Sequence, residues 1–300
     1  MGSHISKGIL DYIHSDVWGP APTISFGGSL YFVSFIDDYS RKVWVYLLKR
    51  KSEVFSMFMQ FKASVEKSTG RSIKCLRTDN GGEFTSLEFE NYCKEVRIER
   101  HKTTTYTPQQ NGVAERMNRT LLERARCMLS NANVEQGLWG EAVLTACYLV
   151  NHSPSTAIDC KTPEEVWTGH PCDYSNLKIF GCDAYALINK KERSKLDPRS
   201  KRCIFVGYGE KNGVKGYRLW DPTAHKLTIS RDVVFDESPF LKPEIVEIDM
   251  KQESEPAHQL VKVETPPSAE VKKEDSSDDE DDEDTQDYEE LPQQSVRRST

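Results

Sequence analysis

The 300-residue sequence predicts a mixed α/β body, then a small all-β barrel, then an acidic tail with no fold of its own. Three observations predict this. Apolar residues in the first 150 positions switch between a period of two and a period of 3.6, in the order β-β-β-α-β-α-β-α-α. After Pro154 only short β-branched and aromatic runs remain, with turns between them. Residues 241–300 then hold 19 acidic and 7 basic residues, a net of −12, including "EDSSDDEDDEDTQDYEE". So charged a segment buries too little apolar surface to offset the entropy of folding. The remaining 240 residues hold 33 basic and 28 acidic side chains, so the overall −7 conceals a mildly basic body of net +5.

The elements follow in order. "ILDYIHSDV" (9–17) reads as a strand ending near Asp16. "GSLYFVSFIDDYSRKVWVYLLK" (28–49) reads as two strands joined by a short turn at Asp38–Arg41, which makes Asp37 and Asp38 turn residues. In "SEVFSMFMQFKASVEKS" (52–68) Val54, Phe58, Phe61 and Val65 share one face of an amphipathic helix, which Gly70 stops. "SIKCLRTD" (72–79) is a fourth strand leading into "NGGEF"; a helix over roughly 86–95 and a short strand over 96–103 follow. Asn111 is placed to cap a helix from about Val113, along which Val113, Met117, Leu121, Ala125 and Met128 form an apolar stripe. "GLWGEAVLTACYLVNH" (137–152) is apolar nearly all round and reads as a buried helix. Beyond it, "KIFGCDAYALI", "RCIFVGYG", "KGYRLWDP" and "KLTISRDVVF" supply the strands of the barrel. The divisions are 7–153 for the mixed body, 154–175 for a helical linker, 176–240 for a basic β domain and 241–300 for the tail.

The eight cysteines show no C-x-x-C and no regular pairing, which fits a reducing compartment better than a disulfide scaffold. Cys75, Cys127 and Cys147 sit in apolar runs and read as core residues. His170, Cys172 and Cys182 match no standard zinc spacing, so no zinc site is expected. No apolar run reaches the roughly 18 residues of a transmembrane helix, so no membrane partner is expected.

Three carboxylates stand out. Asp16 ends the first strand, Asp79 ends the fourth, and Glu115 opens the long helix. In this element order the first and fourth strands can lie side by side at the sheet centre, which brings Asp16 and Asp79 together. A helix across that edge could present Glu115 to both. Like charges so close repel unless a cation lies between them, and an oxygen-only donor set points to Mg²⁺ or Mn²⁺. Two such ions about 3.5–4 Å apart can activate an attacking oxygen and stabilise the leaving oxygen of a phosphodiester. Taken singly the residues have plainer readings: "TDNGG" as a tight turn, Asp16 as a turn cap, Glu115 as the partner of Arg119 at i, i+4.

Asp79 and Glu115 have 35 residues between them, and "HSDVWGP", "FIDDYSRKVWVYLL", "LRTDNGGEF" and "TPQQNGVAERMNRTL" resemble the integrase core of copia-type LTR retrotransposons. The resemblance covers about residues 7–240 and implies a ribonuclease H-like core followed by an SH3-like domain. It puts Asp16, Asp79 and Glu115 on the family's Asp, Asp, Glu triad, which acts with two Mg²⁺ or Mn²⁺ ions when DNA is bound. The implied reaction is metal-dependent trimming of cDNA 3′ ends and strand transfer into target DNA. A homo-oligomer is implied as well, acting in the nucleus after a cytoplasmic particle. Asn111, Asn118 and Arg119 would then lie near the DNA. Lys190, Lys191, Arg193, Lys195, Lys201 and Arg202, in "NKKERSKLDPRSKR", would contact phosphates from the barrel. The sequence departs from the family in one respect. No His/His/Cys/Cys zinc module precedes Asp16, so an excised piece or decayed copy of a longer polyprotein is expected. Two other functions stay open: a noncatalytic DNA-binding protein, and an interaction module whose acidic tail meets a basic host partner.

Overall fold

The computed structural model describes residues 6–102, 111–188, 193–211 and 213–241. These belong to the first of two compact units, Met1–Ile245; the acidic tail beyond Leu241, and Lys190 and Lys191, lie outside the described residues. Strands β1 (Tyr12–Trp18), β2 (Tyr31–Asp37) and β3 (Val43–Leu48) form an antiparallel meander. Helix α1 (Val54–Thr69) crosses to β4 (Cys75–Thr78), and α2 (Leu87–Glu95) to β5 (Glu99–Lys102), both strands running parallel to β1. The sheet order is β3-β2-β1-β4-β5, the ribonuclease H-like arrangement, with β1 at its centre and β4 beside it.

Strand alternation divides the core into two layers. From β2, Val33 and Phe35 turn to one face, where they pack with Ile13, Leu76, Phe58, Phe61 and Phe89 from β1, β4, α1 and α2. Phe32 and Ile36 turn to the other, against α3 (Gly112–Ala132) and α4 (Trp139–Asn151). The expected face of α1 is the buried one, Val54, Phe58, Phe61 and Val65, and Gly70 ends the helix at φ 66°. Ser86 caps α2 by accepting from the Phe89 amide. On α4 ten residues are buried, as an all-round apolar helix requires. Its Asn151 accepts from the Val43 amide and donates to the Val43 carbonyl, each at 2.8 Å, completing the edge of β3.

Helix α5 (Pro163–Thr168) leads to a second antiparallel sheet of β6 (Asp183–Leu187), β7 (Ser200–Lys211), β8 (Val214–Asp221), β9 (Lys226–Ser230) and β10 (Val233–Asp236), in the order β10-β6-β7-β8-β9. The short α6 (Ser238–Leu241) follows. This sheet is seated on the first layer. Val206 and Trp220 join the core under α4, Phe26 stacks on Trp220 at 4.3 Å and Tyr148 on Tyr208 at 3.9 Å. Arg218 donates to both carboxylate oxygens of the buried Glu141 at 2.5 and 2.6 Å. No described helix is long and apolar enough to cross a membrane.

Three local expectations need correction, and one plainer alternative is not met. Strand β1 runs two residues past Asp16, because Trp18 still pairs with Phe32 across the hairpin. Helix α3 starts at Gly112, and Asn111 makes no side-chain cap bond: its φ of −95° and ψ of 7° depart from the extended conformation usual at a cap. Cys127 is exposed whereas Cys75 and Cys147 are buried, since two residues, or roughly 200° of helix, separate it from buried Ala125. Glu115 and Arg119 form no ion pair.

Candidate active site

Asp16 lies on the β1 face that also carries His14 and Trp18, the face turned toward α3 and α4. The β1–β4 ladder pairs Tyr12 with Cys75, Ile13 with Leu76 and His14 with Arg77. Carried two residues further at the same offset, that register sets Asp16 level with Asp79, which stands immediately beyond β4. A parallel ladder puts side chains at equal levels on the same face, so the two carboxylates share a rim of the sheet.

Helix α3 crosses this rim. Its Asn118, only 4% exposed, donates from Nδ2 to Asp16 Oδ2 at 2.9 Å. Glu115 lies in the first turn of the same helix, three residues earlier and exposed. One hydrogen bond therefore ties the strand bearing Asp16 to the helix bearing Glu115. Asp79 is held by its own loop: its Oδ1 accepts from the Gly81 amide at 3.0 Å, and its carbonyl accepts from Thr78 Oγ1 at 2.9 Å. Two carboxylates crowd Gly81: a Cβ there would lie 2.8 Å from Glu83 Oε2 and 3.0 Å from Asp79 Oδ1, so a side chain would push on both. Glu83 is itself turned inward and held by Lys51 at 3.1 Å.

The electrostatics follow from this crowding. Burial first, and the negative charge of Asp79 second, push the Asp16 carboxyl up to about 6; Glu115 adds a smaller push. Hydrogen bonds from the Val17 amide and Asn118 pull the other way and do not prevail. Across the hairpin, His14 Nε2 lies 3.1 Å from Asp38 Oδ1, and Arg41 pairs with the same oxygen at 3.2 Å.

Among the described residues no three His, Cys, Asp or Glu side chains are gathered closely enough to hold a metal ion. The donor chemistry at the rim nonetheless suits a hard divalent cation. Asp16 is driven toward protonation by burial first and by the charge of Asp79 second, and Asn118 Oδ1 is buried beside it with no hydrogen-bond partner. A cation would relieve the repulsion and satisfy an orphaned oxygen together.

The candidate DNA contacts are differently placed. Arg119 is exposed on α3, one turn after Glu115. Asn111 is 1% exposed and Asn118 faces Asp16, so in this structure neither presents its amide to solvent. In the loop before β7, Lys195 is exposed and Arg193 half-buried. Lys201 pairs with Asp221, and Arg202 with Asp183 through two bonds of 3.1 and 2.8 Å. The grip of Asn118 on Asp16 was not foreseen; the one signal for it is an Asn three residues after Glu115 on a helix read as crossing the sheet. The inward Glu83 gave no signal beyond the Gly-Gly before it.

Residues 10–108 match the family model of the integrase core domain, a span that includes Asp16 and Asp79 and stops short of Glu115. Residues 182–247 match that of the retroviral polymerase SH3-like domain. The retrovirus-related Pol polyprotein from transposon TNT 1-94 of Nicotiana tabacum is 56% identical over 230 residues, which are 77% of this chain and 17% of that protein. The corresponding polyprotein from transposon RE2 of Arabidopsis thaliana is 36% identical over 231 residues, 77% of this chain and 16% of that protein. A solved structure, the HTLV-2 integrase catalytic core domain in complex with magnesium, is 20% identical at a TM-score of 0.42, covering 53% of this chain and 97% of that one.

Proposed function

This chain belongs to the integrase-core and SH3-like region of copia-type retrotransposon Pol polyproteins, and we propose that it is a metal-dependent DNA polynucleotidyl transferase. In this reading it trims cDNA 3′ ends and joins them to target DNA, with Asp16, Asp79 and Glu115 as its reaction centre. The observation that carries the proposal is the juxtaposition of two carboxylates level across a parallel ladder with a helix bonded to one of them.

Divalent ions held by these carboxylates would supply an activated attacking oxygen and offset the charge that develops on the leaving oxygen. The chain's own residues prepare the site. Asn118 fixes the Asp16 carboxylate at its Oδ2. The Gly81 amide does the same for Asp79 through its Oδ1. Glu115, exposed in the first turn of α3, can move onto the pair without giving up a packing contact of the core. Arg119 on the same helix, and Lys195 and Arg193 before β7, supply positive charge for the phosphate backbone. DNA is the partner in this reading, a homo-oligomer the working form, and the nucleus the place of the joining step.

The test uses a labelled branched DNA that mimics the joined product, incubated with the full chain in Mg²⁺ or Mn²⁺ beside Asp79→Asn and Glu115→Gln. Cleavage and rejoining by the parent, lost in both variants and in EDTA, is the expected result. Binding of the branch with no product in either metal would favour the noncatalytic DNA-binding reading.

A further inference from the structure

The loop that carries Asp79 leaves β4 at Thr78 and returns to the core at Phe84, whose ring is fully buried. Both ends of that loop meet one side chain from the neighbouring strand. Arg100 of β5 donates from Nη2 to Thr78 Oγ1 at 3.3 Å and to the Phe84 carbonyl at 3.0 Å. Its Nη1 reaches Cys93 Sγ of α2 at 3.9 Å, and the guanidinium lies over the Phe89 ring at 4.5 Å. Phe89 and Cys93 are fully buried, so the group rests on a fixed floor. Thr78 in turn donates to the Asp79 carbonyl. A planar fork over an aromatic ring, spanning the two feet of a loop, is a task for arginine; a lysine ammonium cannot lie flat on the ring with two fixed donor directions.

We infer that Arg100 is a positioning residue for Asp79: it clamps the two feet of the Asp79 loop and so sets the level of that carboxylate against Asp16. The inference rests on the proposed reading of Asp16, Asp79 and Glu115 as a metal centre. Arg100 does not touch the carboxylates itself. It acts through Thr78, and its removal leaves the hydroxyl and the Phe84 carbonyl without their donor. Residues that orient metal ligands typically change metal affinity by about 10–100-fold when replaced.

The experiment is a Mn²⁺ titration of the full chain followed by thermal shift, on the parent, Arg100→Met, Arg100→Lys and Asp79→Asn. Methionine keeps the packing on Phe89 and removes the donors. Arg100→Met is expected to need about 10-fold more Mn²⁺ for half-maximal stabilisation, with Arg100→Lys between it and the parent. Asp79→Asn is expected to lose the response. A purely structural role would lower the metal-free melting temperature and leave the Mn²⁺ midpoint where it was, and that result overturns the inference. If Arg100→Met does not fold, Arg100→Lys carries the test, and a midpoint equal to the parent's is again fatal. A parent with no Mn²⁺ response sinks the metal-centre reading and the inference with it. Arg100 alone fails when the parent responds and its variants match it.

Discussion

Adjacent residues in this chain have opposite acid–base fates, and the structure says why. Asp37 is buried beneath the Leu10 amide and Ser40, and burial outweighs those hydrogen bonds, so its carboxyl is raised. For Asp38 burial pushes the same way, yet the bonds from His14 and Ser6 and the Arg41 charge override it and hold the carboxyl far below the usual range. A folded-state value below the unfolded one means that Asp38 contributes stability fully above the unfolded value and loses it as pH falls toward the folded one. Asp38→Asn should therefore lower the urea midpoint most near neutral pH. The gap to the parent should close as pH drops below about 4, where the unfolded aspartate begins to protonate. A gap that stays constant down to acid unfolding would reject this account. Asp38 was legible from the sequence as a turn residue; Asp37, expected in the turn as well, is instead the last residue of β2, paired with Ile13. Their opposite shifts were not legible, because the donors arrive from residues as distant as Ser6, Leu10 and His14.

At the scale of elements, periodicity carried what it can carry. The buried face of α1 and the all-round burial of α4 follow directly from spacing, and element order alone placed β1 beside β4. What order could not supply was the level of Asp16 against Asp79, which needs the register of the ladder, or the reach of Asn118 into that rim. Type-based reasoning went astray where the backbone decides: Asn111 has the residue type of a cap and lacks the conformation. The seat between the two sheets was equally hidden, and one element shows how tight it is. A register shift between Phe205 and Gly207 in β7 brings Gly207, at φ 147°, against Thr145 of α4, whose hydroxyl donates to the Val206 carbonyl at 2.8 Å. A Cβ at Gly207 would collide with that hydroxyl. Gly207→Ala should cost at least about 2 kcal/mol in strain and displaced contact, measured by urea unfolding. Thr145→Ala should recover part of the loss in the double variant. A Gly207→Ala protein as stable as the parent would show that the second sheet does not sit on α4 as described.

Charge is the property of the whole molecule that the sequence states most plainly and that the structure most redistributes. The first 240 residues carry a surplus of five positive charges, and the stretch 176–240 alone has 13 basic against 8 acidic residues. Counting them as equal phosphate contacts ignores where each is engaged. Lys201 is bonded to Asp221, whose carboxyl is held low in spite of burial chiefly by that bond, and Arg202 is held by Asp183. To meet a phosphate, either must first give up its carboxylate, which offsets most of the gain. Arg193 and Lys195 form no ion pair among the described residues, in contrast to Lys201 and Arg202. Each charge that neutralises a phosphate releases condensed counterions, so the slope of log affinity against log salt counts the contacts made. Lys195→Gln and Arg193→Gln should each reduce that slope by about one on a duplex DNA, measured by fluorescence anisotropy across a salt series. Lys201→Gln should leave the slope close to the parent's. Equal losses from Lys201 and Lys195 would mean that DNA displaces Asp221, and that the ion pair belongs to the unbound protein alone.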